Sequence, residues 1–287
     1  MSIEFRSIDD GLEAVVTGAW TVDDEYEFRR SGAAALNLNY TFGFKERSLD
    51  FIRGLPVKKL RVMSRTTRDL SPIYSLAEHL TSLSVTSDPR TPIDLTYFGK
   101  LKSLSAYWPQ VAASISAATN VEDAYFGSYT DESLVALRSM TSLRWLMLKD
   151  RPRLRSLEGL SDLPHLNFLL IAGASSLSDV SELRRADAPR LRSLSLPGCK
   201  RIETLDDIVH QTLLTRLDLG DCGPLTTLSP LRALTELREL FLDESTLIVD
   251  GDLQPIVDLP HMQVLGMMSR RHYKPSLKRV QSSMARG

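Results

Sequence analysis

The sequence predicts an α/β solenoid: a curved parallel sheet of about eleven strands, backed by a convex side of 3₁₀ turns and short helices. Three observations carry that prediction. The pattern L-x-x-L-x-L stands out at Leu143-Leu146-Leu148, Leu191-Leu194-Leu196, Leu214-Leu217-Leu219 and Leu237-Leu240-Leu242. Carried in both directions, its middle position falls on Leu36, Leu60, Leu83, Leu104, Ala124, Leu146, Leu169, Leu194, Leu217, Leu240 and Leu265, at intervals of 24, 23, 21, 20, 22, 23, 25, 23, 23 and 25 residues. Between these stretches apolar residues recur at every third position, as in Leu154-Leu157-Leu160-Leu163-Leu166 and Leu225-Leu228-Leu231-Leu234-Leu237.

In chain order, residues 1–34 lack the repeat and are expected to form a β-rich N-terminal cap. Strand-like runs at Gly11 to Trp20 and Glu25 to Arg30 flank Thr-Val-Asp-Asp, and Trp20 is expected to lie over the first repeat. Residues 35–267 are the repeats. Each x-L-x-L stretch has the period of two that a strand needs, so its leucines point into a core and the intervening residues point away. The three-residue spacing that follows suits 3₁₀ turns, since a unit of about 23 residues has little room for a full helix. Longer helical turns are expected at Asp131 to Met140 and Asp206 to Gln211, where breakers are few. The last unit, Met262-Leu265-Met267, runs into His272, Tyr273, Lys274 and Pro275, and residues 268–287 read as a C-terminal cap and a basic tail. Such units bury their apolar faces only against neighbours, so terminal caps are a physical requirement.

The stretch Leu225 to Leu242, L-T-T-L-S-P-L-R-A-L-T-E-L-R-E-L-F-L, resembles the short-repeat subclass of leucine-rich-repeat proteins, which includes internalins and bacterial cytoplasmic members. The resemblance covers roughly residues 33–270 and is most specific over 140–265. It implies a solenoid that binds other proteins on its concave face. The chain departs from the family at one slot. An inward Asn usually stands three residues after the last strand leucine, but here that position holds Arg151, Ala174, Cys199, Cys222 and Ser245. Without the Asn ladder the turns are expected to be less regular.

Composition narrows the function. With 287 residues, 43% of them hydrophobic, the chain can bury a large core, while a net charge of −1 argues against a surface built for nucleic acid or anionic lipid. The exception is residues 270–287, with six basic residues (Arg270, Arg271, Lys274, Lys278, Arg279, Arg286) and no acid. The N-terminus has no signal-peptide pattern and no segment reaches membrane-span length, so a cytoplasmic protein is expected. Two cysteines do not make a disulfide framework. Cys199 and Cys222 stand one repeat apart in the same inward slot, about 5 Å apart if their strands are neighbours. That distance allows a disulfide, but side chains stacked in a ladder point the same way, and two buried thiols are expected.

No phosphate-cradling glycine loop, H-E-x-x-H or G-x-S-x-G occurs, and the five histidines have no cysteine or carboxylate at ligand spacing. No cofactor and no metal are expected. The informative positions lie between the strand leucines, on the concave face. They give an aromatic and aliphatic patch of Tyr107, Trp108, Tyr125, Trp145, Met147, Phe168 and Leu170. Toward the C-terminal end Phe241 is joined by an acidic group of Asp218, Asp221, Asp243 and Glu244. Contiguous apolar groups facing water usually mark a binding surface, although these side chains could also merely cover one another. The acids lie near Arg192, Arg216 and Arg238, so part of their charge is expected to be paired.

The expected function is therefore non-enzymatic: a protein-binding module that engages a partner on the concave face and inhibits or regulates it, as an immunity-type protein would. Two alternatives stand beside it. A catalytic effector would need a separate catalytic domain, for which about 20 residues after the last repeat leave no room. A nucleic-acid or membrane adaptor would act through the basic tail, and deleting 270–287 would test it.

Overall fold

A computed structural model describes residues 2–185 and 187–284. The chain begins with an antiparallel hairpin, β1 (Ile3–Ile8) and β2 (Gly11–Val16), followed by helix α1 (Val22–Ser31). The helix replaces the strand expected at Glu25 to Arg30. Its start is specified locally: the Thr21 hydroxyl accepts from Asp24 N–H, and the Asp24 carboxylate accepts from Thr21 N–H, a reciprocal cap. Acids fill the first turn and Arg29 and Arg30 the last, in keeping with the helix dipole, and Gly32 ends the helix in the left-handed region at φ 73°. Asp24 also accepts from Ser2 N–H at 2.8 Å, tying the helix start to the hairpin. Trp20 stacks on Phe51 at 4.9 Å between centroids, so it does cover part of the first repeat.

The repeat strands follow. They are β3 (Ala35–Asn39), β4 (Lys59–Met63), β5 (Ser82–Thr86), β6 (Ser103–Tyr107), then helix α2 (Trp108–Val111) and β7 (Asp123–Gly127). Next come β8 (Trp145–Lys149), β9 (Phe168–Ile171), β10 (Ser193–Ser195) and β11 (Arg216–Asp218). The short β12 (Pro224–Leu225) precedes β13 (Glu239–Leu242), and the short β14 (Leu247–Ile248) and helix α3 (Gln254–Val257) precede β15 (Val264–Met267) and helix α4 (Leu277–Met284). Each of the eleven middle positions read from the sequence is the second residue of a strand. The hairpin adds β1 and β2, giving thirteen principal strands among the described residues.

Contacts group the chain into two units, one up to Phe126 and one from Gly127. In the first, β2 to β6 pair in parallel with Ala14, Leu36, Leu60, Leu83 and Leu104 in one register line. In the second, Leu146, Leu169, Leu194, Leu217, Leu240 and Leu265 form the corresponding line, while β12 pairs with β14 on its own. Leu146 to Leu240 in that line are fully buried, and Leu265 is half-exposed. The connections are short 3₁₀ turns, for example Leu160–Asp162 and Ser229–Ala233. At the two places where longer helices are expected, the structure has only Val135–Leu137 and Asp206–Ile208, both 3₁₀. The repeat length explains this: three-residue spacing delivers a leucine to the core at every turn, and the wall has no room for more.

The turns after the strands of the second unit are more regular than the missing Asn ladder implies. Two residues past Leu148, Ile171, Leu196, Leu219 and Leu242 the backbone turns left-handed at Asp150, Gly173, Gly198, Asp221 and Glu244, with φ of 60°, 74°, 74°, 52° and 54°. Other donors replace Asn at the inward slot. Cys199 Sγ donates to Ile171 O at 3.5 Å and Cys222 Sγ to Leu196 O at 3.2 Å, each reaching back to the preceding repeat. In the next unit the slot belongs to Thr246, not to Ser245, which is exposed and donates outward to Asp221 at 2.8 Å. The Thr246 hydroxyl donates to Leu219 O at 2.7 Å and accepts from Cys222 N–H at 3.0 Å. Thr246→Val keeps the shape and strands both backbone partners, so we expect a loss of about 2 kcal/mol. A urea midpoint that does not move would show that this hydroxyl does not close the ladder.

Beyond β15 part of the chain packs back on the last repeats. Tyr273 is buried and its hydroxyl accepts from Ile248 N–H at 3.1 Å, the Lys274 backbone donates to Gly251 O and accepts from Leu253 N–H, both at 2.8 Å, and α4 buries Val280. Arg286 lies outside the described residues.

Candidate functional site

In-register parallel strands bring the same slot of successive repeats to one strand spacing, about 4.8 Å. In the second unit this sets Trp145 beside Phe168, Ser193, Arg216, Glu239 and Val264, and Met147 beside Leu170, Ser195, Asp218, Phe241 and Gly266. The Trp145 and Phe168 rings stack with centroids 4.8 Å apart and planes 12° apart, so their separation equals the strand spacing. Both are half-exposed, as are Met147 and Leu170 in the adjoining column. The four side chains form one apolar surface on two neighbouring strands. They partly cover one another and still face solvent.

Farther along the same face the character changes. Arg216 places its guanidinium over the Phe241 ring, 4.4 Å from the centroid, and also pairs with Glu239. Phe241 is therefore roofed by a cation rather than bare, a diagonal contact that column-by-column reading of the sequence does not reveal. Asp218 accepts from Ser195 Oγ at 2.9 Å and from Gly220 N–H at 3.0 Å. Asp221 accepts from Ser245 and pairs with Lys200 at 3.2 Å, and these contacts hold its carboxyl below the usual range, the Ser245 hydroxyl first. Asp243 is half-buried and Glu244 exposed, with no ion pair to either among the described residues. Part of the acidic group is thus engaged within the protein.

Trp108 departs from expectation. It is 1% exposed, packed edge-on to Phe126 at 5.3 Å, because the chain turns inward into α2 directly after β6. It is a core residue. Tyr107 and Tyr125, also in the first unit, are half-exposed on β6 and β7. The remaining face of that unit is polar, with Lys59, Arg61, Ser82, Ser84, Ser103 and Ser105 in the corresponding slots.

Cys199 and Cys222 are free and buried, and burial pushes their thiols up to about 12 and about 11. Among the described residues no group of three or more His, Cys, Asp or Glu could hold a metal ion, and no helix is long and apolar enough to cross a membrane.

Parallel strands in 20–25-residue register, 3₁₀ connections and an inward ladder at the turns define a leucine-rich-repeat fold. Solved structures agree. The chain is similar to a leucine-rich-repeat protein of Leptospira interrogans, with a TM-score of 0.57 and 16% identity over 87% of this chain and 76% of that one. It is similar to the functional domain of the internalin InlJ of Listeria monocytogenes, which includes a cysteine ladder, with a TM-score of 0.54 and 16% identity over 85% of this chain and 50% of that one. A TDR receptor matches with a TM-score of 0.57 and 16% identity over 86% of this chain and 44% of that one. No family model matches the chain. Among curated proteins, a probable disease resistance protein of Arabidopsis thaliana is 41% identical over 80 residues, which are 28% of this chain and only 6% of that protein.

Proposed function

We propose that this chain is a non-enzymatic protein-binding module that holds its partner on the strand face and regulates or neutralises it by occupying it. The observation that carries this reading is the Trp145–Phe168 stack, flanked by Met147 and Leu170. It is an apolar surface half-open to water on two adjacent paired strands. Large aromatic residues held rigidly in this way are the commonest anchors of interface energy. Asp243 and Glu244, on the same unit and without an ion pair among the described residues, would steer a basic region of the partner. Tyr107 and Tyr125 offer the first unit's own anchors.

The test is capture of the partner from the native cell extract by the wild-type chain and by Trp145→Ala, Phe168→Ala. Loss of the two rings should weaken binding by about 2 kcal/mol or more with little change in melting temperature. Undiminished binding would move the site off this face. Loss of binding on deletion of 270–284 alone would favour the C-terminal helix instead.

A further inference from the structure

The strand face of the second unit is apolar and acidic, whereas the first unit carries a concentration of positive charge that the reading above does not use. Between Lys45 and Arg68 eight Lys or Arg residues stand against two acids, Glu46 and Asp50. Three of them, Arg47, Arg65 and Arg68, line an open concavity of about 500 Å³ together with Thr66 and Asp69. Asp69 is the acid of the lining, and its carboxylate is occupied, accepting from Ser71 N–H at 2.8 Å and Ser71 Oγ at 3.0 Å.

The guanidinium groups are poorly compensated. Arg47 and Arg65 have no ion pair among the described residues. Arg65 lies over the Tyr40 ring, 4.4 Å from the centroid, and donates to the Tyr40 hydroxyl at 2.9 Å, which orders it without neutralising it. Arg68 comes only within 4.0 Å of Asp88, whose oxygens already receive Arg90 at 3.0 and 2.8 Å. Arg65 and Arg90 also line a second concavity of about 550 Å³ beside Tyr40 and Tyr107.

We propose that the Arg47–Arg65–Arg68 concavity binds a multiply charged oxyanion displayed by a protein partner, either a phosphorylated residue or a tight group of carboxylates. Planar guanidinium forks recognise such groups through paired, charge-assisted hydrogen bonds, and pre-ordering Arg65 on Tyr40 lowers the cost of binding. A nucleic acid fits less well. It would need a basic stripe along the surface, but this cluster is interrupted by Glu46, Asp69 and Asp88 on a chain of net charge −1. The site lies wholly in the first unit and stands independently of the Trp145–Phe168 surface.

Isothermal titration of the full chain with a short phosphoserine peptide, its Glu-containing counterpart and a single-stranded oligonucleotide tests the proposal. At least one peptide should saturate a single site. The Arg47→Gln, Arg68→Gln double variant, altering two exposed side chains, should bind it at least about tenfold more weakly, with unchanged melting. A clear preference for the phosphoserine peptide assigns a phosphorylated partner, and equal affinity assigns an acidic one. No saturable binding by either peptide, undiminished binding by the variant, or tighter binding of the oligonucleotide would overturn the proposal.

Discussion

Leu217→Asp is expected to unfold the second unit. Leu217 is fully buried, in register with Leu194 on one side and Leu240 on the other. A carboxylate there would sit between the buried leucines of the two neighbouring strands, and burying it unpaired costs more than about 4 kcal/mol, a large part of the whole stability of an ordinary domain. Repeat units are stabilised chiefly by their neighbours, so the damage should spread through the adjoining strands rather than stay local. Circular dichroism should show a large loss of cooperative melting. Leu217→Met, which nearly conserves volume, should cost less than about 1.5 kcal/mol. An Asp variant that melts like the wild type would mean that position 217 does not face the core.

The second large effect is an alkaline loss of stability that comes from two thiols. Burial raises both, and the neighbouring Cys222 adds to the shift at Cys199. The folded chain therefore keeps these protons to about pH 12 and about pH 11, whereas the unfolded chain releases them near pH 9.0. Their contribution is full below pH 9 and falls as pH rises, by on the order of 1 kcal/mol per thiol for each pH unit until the folded value is reached. Urea midpoints at pH 8, 9 and 10 should decline more steeply in the wild type than in Cys199→Ala, Cys222→Ala, which should still fold. Parallel curves would show that the thiols ionise normally. In the native state at neutral pH both should also resist a thiolate-specific reagent until the protein is unfolded.

The strands were legible because one constraint repeats: every unit must put leucines on one side of a short strand, and period two fixes which residues do so. That is why all eleven middle positions, from Leu36 to Leu265, occupy the same place in a strand. The wall was legible as 3₁₀ from the three-residue spacing, whereas Asp131 to Met140 misled because helix propensity there is overruled by the length of the unit. Outside the repeat each decision is local and unrepeated. The strand reading at Glu25 to Arg30 overlooked the reciprocal cap that Thr21 and Asp24 encode just upstream. Trp108 follows the end of its strand directly, and which way the chain turns there is a tertiary decision. At the turn, Ser245 has the expected spacing, but Thr246 reaches the carbonyl of Leu219 because the last corner is one residue longer.

The left-handed corner of the second unit separates what shapes the backbone from what charges the surface. Gly173 and Gly198 occupy it in two successive repeats, so the corner itself needs no carboxylate. Asp221 and Glu244 hold the same conformation with a side chain attached, at a cost of about 1 kcal/mol each relative to glycine. Exchanging residues at this corner therefore redraws the electrostatic character of the rim while leaving the leucine stack untouched. Surface charge and folding can diverge independently in this molecule.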